Sequence, residues 1–119
     1  MSHELFDLSG RVALVSGAAQ GVGRAMSIGF AEAGADLMLA DLNEEGARQT
    51  ASTIEALGRR AVAVRCDVAE PDQVRARFRR LDDEFGRIDV LGNVAGGGSI
   101  EALPPEQTPL ESVSTFLQS

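Results

Sequence analysis

Short apolar runs alternate with amphipathic stretches along this chain. Val12-Ala13-Leu14-Val15, inside the stretch Arg11 to Ser16, has no polar interruption and is bounded by Gly10 and Gly17, which predicts a strand buried on both faces. Val22 to Ala33 spaces Val22, Ala25, Met26, Ile28, Gly29, Phe30 and Ala33 as a helical stripe. Gly34 lies just past its end, where a left-handed cap favours glycine. Asp36 to Ala40 predicts a second strand that stops at Asp41. Asn43 is placed to cap a second helix, with Glu44 and Glu45 in its first turn and Gly58 after its last. Ala61 to Cys66 predicts a third strand, Pro71 to Phe85 a third helix with Gly86 as its stop, and Ile88 to Val94 a fourth strand. Pro104, Pro105 and Pro109 then mark a loop, and Leu110 to Leu117 predicts the start of another helix. The order β-α-β-α-β-α-β implies right-handed crossovers, hence a doubly wound parallel sheet of the α/β class with helices on both faces.

Composition narrows what such a sheet serves. With 119 residues, 44% of them apolar, the chain can build one core. A formal charge of −7 argues against nucleic acid, whose affinity for proteins rests mainly on Lys and Arg. Arg75, Arg77, Arg79 and Arg80 lie beside Asp72, Asp82, Asp83 and Glu84 and read as a solvated ion-pair face. A single Cys66 excludes an internal disulfide and fits a reducing compartment. No apolar run approaches the roughly 18 residues of a membrane span, and Glu4 and Asp7 in the first ten residues do not fit a secretory signal. We therefore expect a cytoplasmic protein with no membrane or nucleic-acid partner. His3 has no partner at ligand spacing, so no metal site is expected. Ser112 and Ser114 have no nearby His to activate them.

The chemistry gathers at the carboxyl ends of the predicted strands, where open α/β sheets bind ligands. Ser16-Gly17-Ala18-Ala19-Gln20-Gly21-Val22-Gly23 joins the first strand to the first helix. Gly17 suits a tight turn, Gly21 a close backbone approach to a pyrophosphate, and Gly23 close packing of helix on strand. Asp41 stands 18 residues after Gly23, where a carboxylate accepts from both adenosine ribose hydroxyls and repels a 2′-phosphate; its alternative is helix capping. Leu42 and Asn43 offer no positive charge, and Arg24 and Arg48 do not directly follow the strand, so NAD is favoured over NADP. Asp67 can accept from an adenine amino group or cap the following helix. Asn93 can pin the loop after the fourth strand, and Ala95-Gly96 leaves room for a ribose.

Together these residues resemble the short-chain dehydrogenase/reductase family over about residues 5 to 103. Ser16 to Gly23 matches its Thr-Gly-x-x-x-Gly-x-Gly, Asp41 its NAD-selecting acid, Asp67-Val68 its adenine-contacting pair, and Asn93-Val94-Ala95-Gly96 its Asn-Asn-Ala-Gly segment. The resemblance implies a Rossmann-like N-terminal half with strand order 3-2-1-4, divided as a tail over 1–10, a cofactor-binding half-domain over 11–103, and a loop and helix start over 104–119. It implies a cofactor site made of Gly17, Gln20, Gly21, Val22, Gly23, Asp41, Asp67, Val68, Asn93, Ala95 and Gly96. The family's hydride transfer between NAD(P) and an alcohol or ketone needs a Ser and a Tyr-x-x-x-Lys pair, and this chain has no Tyr and no Lys. No catalytic residue is therefore assigned, and a fragment cut before the catalytic half is the expected explanation. The alternative is a non-catalytic remnant acting through another chain. The fourth strand is expected at an open sheet edge, where unpaired N–H and C=O groups would promote self-association.

Overall fold

The computed structural model describes residues 7–67, 70, 72–73, 75–76, 79, 85–86, 88–94 and 99–102, the side chains of residues 93 and 99–102 excepted. In chain order the elements are β1 (Val12–Ser16), α1 (Gly21–Glu32), β2 (Asp36–Asp41), α2 (Glu44–Ala56), β3 (Ala61–Arg65), β4 (Val90–Asn93) and β5 (Ser99–Ala102). Residues 72, 73, 75, 76, 79 and 85 are also helical, in the stretch where a third helix is predicted. For the four predicted strands and the first two predicted helices the boundaries hold to within one or two residues. Pro71 and the predicted helix start at Leu110 to Leu117 lie outside the described residues.

The strands form one sheet in the order β3-β2-β1-β4-β5. β1 runs parallel to β2 (Val12 opposite Asp36, Ser16 opposite Ala40) and to β4 (Ala13 opposite Val90, Ser16 opposite Asn93). β2 runs parallel to β3, with Asp41 opposite Arg65. All five residues of β1 are buried, because successive side chains enter two different cores. Ala13 and Val15 pack with Leu37, Leu39, Ala47, Ala51 and Ile54 on the face covered by α1 and α2. Leu14 packs with Met38, Val64, Ile88 and Leu91 on the opposite face, where Phe85 also contacts the cluster. A sheet covered twice has no polar face, so its strands read as continuous apolar runs rather than alternating ones.

One expectation about the sheet is overturned. β4 is not at the edge: β5 pairs with it antiparallel, Val90 opposite Ala102 and Asn93 opposite Ser99. Only residues 94–98 separate the two strands, whereas a parallel return needs a crossover of about a dozen residues. A connection this short permits only the antiparallel pairing. It also occupies the backbone groups on which association through an open fourth strand was argued.

At the other end of the sheet, Asp89 ties the start of β4 to β1. Its Oδ2 accepts from the Val12 N–H at 2.9 Å, its own N–H donates to the Val12 carbonyl at 2.8 Å, and Arg11 approaches its Oδ1 at 3.5 Å. The opposite, carboxyl ends of the strands are left for the turns that carry the candidate chemistry.

Candidate functional site

β1 ends at Ser16 and the chain must reverse before α1 begins at Gly21. Two residues of that turn, Gly17 (φ +80°) and Gly21 (φ +57°), take left-handed conformations that disfavour any side chain. The Gly17 and Ala18 N–H groups donate to the Ala40 carbonyl at 2.8 and 3.4 Å. The Ala19 N–H donates to Asp41 Oδ2 at 2.9 Å, and the Thr50 hydroxyl donates to the Ala18 carbonyl at 2.9 Å. The turn is thus folded back onto β2 and α2. Gly23 closes it from the helix side: an added Cβ would overlap the Gly17 carbonyl, 2.7 Å from its carbon. Above Gly21, by contrast, an added Cβ would meet nothing within 4 Å.

The two helix starts are finished differently. Asn43 caps α2, its side chain accepting from the Gly46 N–H at 3.0 Å, with Glu44 and Glu45 in the first turn. At α1 the cap residue Gln20 is extended (φ −159°, ψ 172°), makes no side-chain cap bond, and has no acidic residue following it in the first turn. The first intrahelical-type bond runs from the Arg24 N–H to the Gln20 carbonyl. The N–H groups of Gly21, Val22 and Gly23 therefore precede any intrahelical partner. Val22, 67% exposed, projects its side chain into solvent beside them.

Asp41, half-buried at the end of β2, has a place in both turns. Its Oδ2 holds the Ala19 N–H, and its Oδ1 accepts from the Asn43 N–H at 2.9 Å. Each carboxylate oxygen keeps a further lone pair. The alternative of Asp41 as the α2 cap is not what the structure has, since Asn43 takes that role. Asp67 follows β3: the Cys66 N–H donates to the Asp41 carbonyl at 3.1 Å, and the Asp67 N–H donates to Gln73 Oε1 at 3.1 Å. β4 joins the same edge through its register with β1 and through the Val94 N–H, which donates to the Ser16 carbonyl at 3.1 Å. Gly17, Gln20, Gly21, Val22, Gly23, Asp41, Asp67 and the backbone of Asn93 thus lie along one edge of the sheet. Val68, Ala95 and Gly96 lie outside the described residues, as does the Asn93 side chain.

Two contributors to the turn and one neighbour of Asp67 were not singled out in the sequence. Thr50 and Gly46 of α2 press against Ala18 and Ala19, and Gln73 meets Asp67. Thr50 left one trace, a polar residue within the apolar stripe Ala47, Ala51 and Ile54. Among the basic residues considered, Arg48 pairs with Glu44 at 2.7 Å and Arg24 reaches Thr53 Oγ1 at 3.4 Å. Cys66 is buried in the core. Among the described residues no helix is long and apolar enough to cross a membrane.

Comparison with known proteins agrees with this architecture. The short chain dehydrogenase family model matches residues 11–116. The 7alpha-hydroxysteroid dehydrogenase of Escherichia coli (strain K12) is 36% identical over 91 residues, covering 76% of this chain and 36% of that protein. The chain therefore spans about a third of the length of that curated relative. A short-chain type dehydrogenase/reductase from Mycobacterium marinum superposes with a TM-score of 0.73 at 35% identity, covering 98% of this chain and 51% of that one. A short chain dehydrogenase/reductase from Burkholderia phymatum, solved in complex with NAD, superposes with a TM-score of 0.68 at 35% identity, over 71% of this chain and 30% of that one. The strand order, the glycine turn and these matches lead to one assignment: the chain belongs to the short-chain dehydrogenase family, of which it carries the N-terminal, NAD(P)-binding portion.

Proposed function

We propose that this chain holds the adenosine diphosphate portion of a dinucleotide, NAD in preference to NADP, across the carboxyl ends of β1 to β4. The observation that carries the reading is an α1 start whose cap residue Gln20 makes no side-chain cap bond, set behind a glycine turn with open space over Gly21. The first-turn N–H groups of Gly21, Val22 and Gly23 donate to the pyrophosphate, and the helix dipole favours its charge. Asp41 keeps lone pairs to accept from the two ribose hydroxyls, and Asp67 accepts from the adenine amino group. Val68, Asn93, Ala95 and Gly96 enter through their match to the family's segments.

A 2′-phosphate would bring its charge against Asp41, while Arg48 is already paired with Glu44. Repulsion and an unmatched acceptor disfavour it by about 1–3 kcal/mol. In a complete member of the family the bound dinucleotide would supply the hydride acceptor or donor for interconverting an alcohol and a ketone. The chain's own contribution is binding and orientation, because it contains no Tyr and no Lys to serve as the family's proton-transfer pair.

Isothermal titration calorimetry of the 119-residue chain with AMP, 2′-phospho-AMP and NAD tests the reading. AMP and NAD should bind weakly and 2′-phospho-AMP about tenfold or more weaker than AMP. Equal binding of AMP and 2′-phospho-AMP would remove the role given to Asp41. Incubation with NAD and secondary alcohols should give no NADH, and protein-dependent NADH from pure material would refute the assignment of binding without turnover.

A further inference from the structure

The Ala18–Ala19 peptide, in the middle of the glycine turn, is held at both ends. Its carbonyl accepts from the Thr50 hydroxyl at 2.9 Å, and its N–H donates to Asp41 Oδ2 at 2.9 Å. A trans peptide is a rigid plane whose orientation changes only by rotation about the line joining its two Cα atoms. Its C=O and N–H point to opposite sides of that line, so fixing both blocks the rotation. The next residues, Gln20 in extended backbone and Gly21 at φ +57°, carry that orientation directly into the first turn of α1. The direction in which α1 presents its free N–H groups is thus set from α2 and β2.

Thr50 is the unexpected half of this grip. It is fully buried, at 0% exposure, in a stripe otherwise made of Ala47, Ala51 and Ile54, where an apolar side chain would pack without a polar atom to satisfy. Its hydroxyl has a local acceptor in the Gly46 carbonyl at 3.3 Å, yet its shorter bond goes to the turn. Gly46 makes the approach possible, since a Cβ there would come within 2.7 Å of the Ala19 Cβ.

We propose that Thr50 is a positioning residue for phosphate binding: by holding the Ala18 carbonyl it aims the α1 N–H groups at the diphosphate of the ligand. The inference rests on the cofactor reading given above. The test is binding of ADP and of adenosine to the 119-residue chain and to Thr50→Val and Thr50→Ser. Valine keeps the shape and removes the hydroxyl; serine keeps the hydroxyl. Thr50→Val should weaken ADP about fivefold, leave adenosine within about twofold, and be rescued by Thr50→Ser. Unchanged ADP affinity in folded Thr50→Val overturns the proposal, as does an equal loss of ADP and adenosine.

Should Thr50→Val not fold, hydrogen exchange on the unsubstituted chain decides. Protection by ADP of the Ala19 amide together with residues 46–50 supports the grip, and protection confined to the first turn of α1 overturns it. Failure of the unsubstituted chain to bind either ligand would instead bring down the cofactor reading, and this inference with it. The two failures are read from different proteins.

Discussion

Gly23 and Gly29 sit six residues apart on the same helix and answer to different constraints. At Gly23 a methyl group would run into the Gly17 carbonyl, a main-chain atom fixed by the turn. At Gly29, exposed in mid-helix, it would meet nothing within 4 Å. Gly23→Ala should therefore destabilise the protein by about 2–3 kcal/mol through overpacking and abolish ADP binding. Gly29→Ala should stabilise it by about 0.5–1 kcal/mol, because alanine is the better helix former. Urea unfolding of the two variants side by side checks both, and similar midpoints would contradict the packing argument. The glycine spacing was legible in sequence because turn and helix start are contiguous. The second duty of Asp41, holding the Ala19 N–H, was not, since it depends on where β2 delivers its carboxylate.

The two helices begin differently, and in the proposed function that difference divides stability from binding. α2 is closed by its own chain, with Asn43 on the Gly46 N–H and Glu44 and Glu45 complementing the dipole. At α1 the cap residue Gln20 makes no side-chain bond, which lowers its stability as a helix and leaves the first-turn N–H groups for the anion of the proposed function. An acid placed at its cap should reverse that balance. Gln20→Asp is expected to raise stability by about 0.5–1 kcal/mol and to weaken ADP through competition and charge. Asn43→Ala should cost about 1 kcal/mol with a smaller effect on ADP. Thermal unfolding and calorimetry separate the outcomes; a Gln20→Asp variant that gains stability and binds ADP unchanged would count against the role of α1. The α2 cap was legible in sequence from the residue type of Asn43, whereas the missing side-chain cap at Gln20 is known only from the structure.

The whole sheet depends on burial of both faces and on β5 beside β4. Leu91 shows the consequence. As an exposed edge residue it would be a place to introduce charge and suppress association. In the structure it is 0% exposed, paired with Leu14 of β1 on one side and Glu101 of β5 on the other. Leu91→Asp should therefore lose the cooperative fold, at a penalty of about 3–5 kcal/mol for a core truncation with a buried charge. Circular dichroism with a urea series would show it, and a native spectrum with an unchanged midpoint would return Leu91 to the surface.

The path from strand to glycine turn to helix, the carboxylates closing β2 and β3, and the doubly covered sheet are local facts. Each depends on residues adjacent in the chain or on a hydrophobic period within one element, so the order of residues was enough to fix them. The grip of Thr50 on Ala18 spans 32 residues and the bond from Ala19 to Asp41 spans 22. Such contacts arise only when α2 settles under the turn, and no period in the sequence encodes how close two packed elements will come. β5 belongs with them. Ser99-Ile100-Glu101-Ala102 is too short to announce a strand, and it becomes one because β4 offers it an edge.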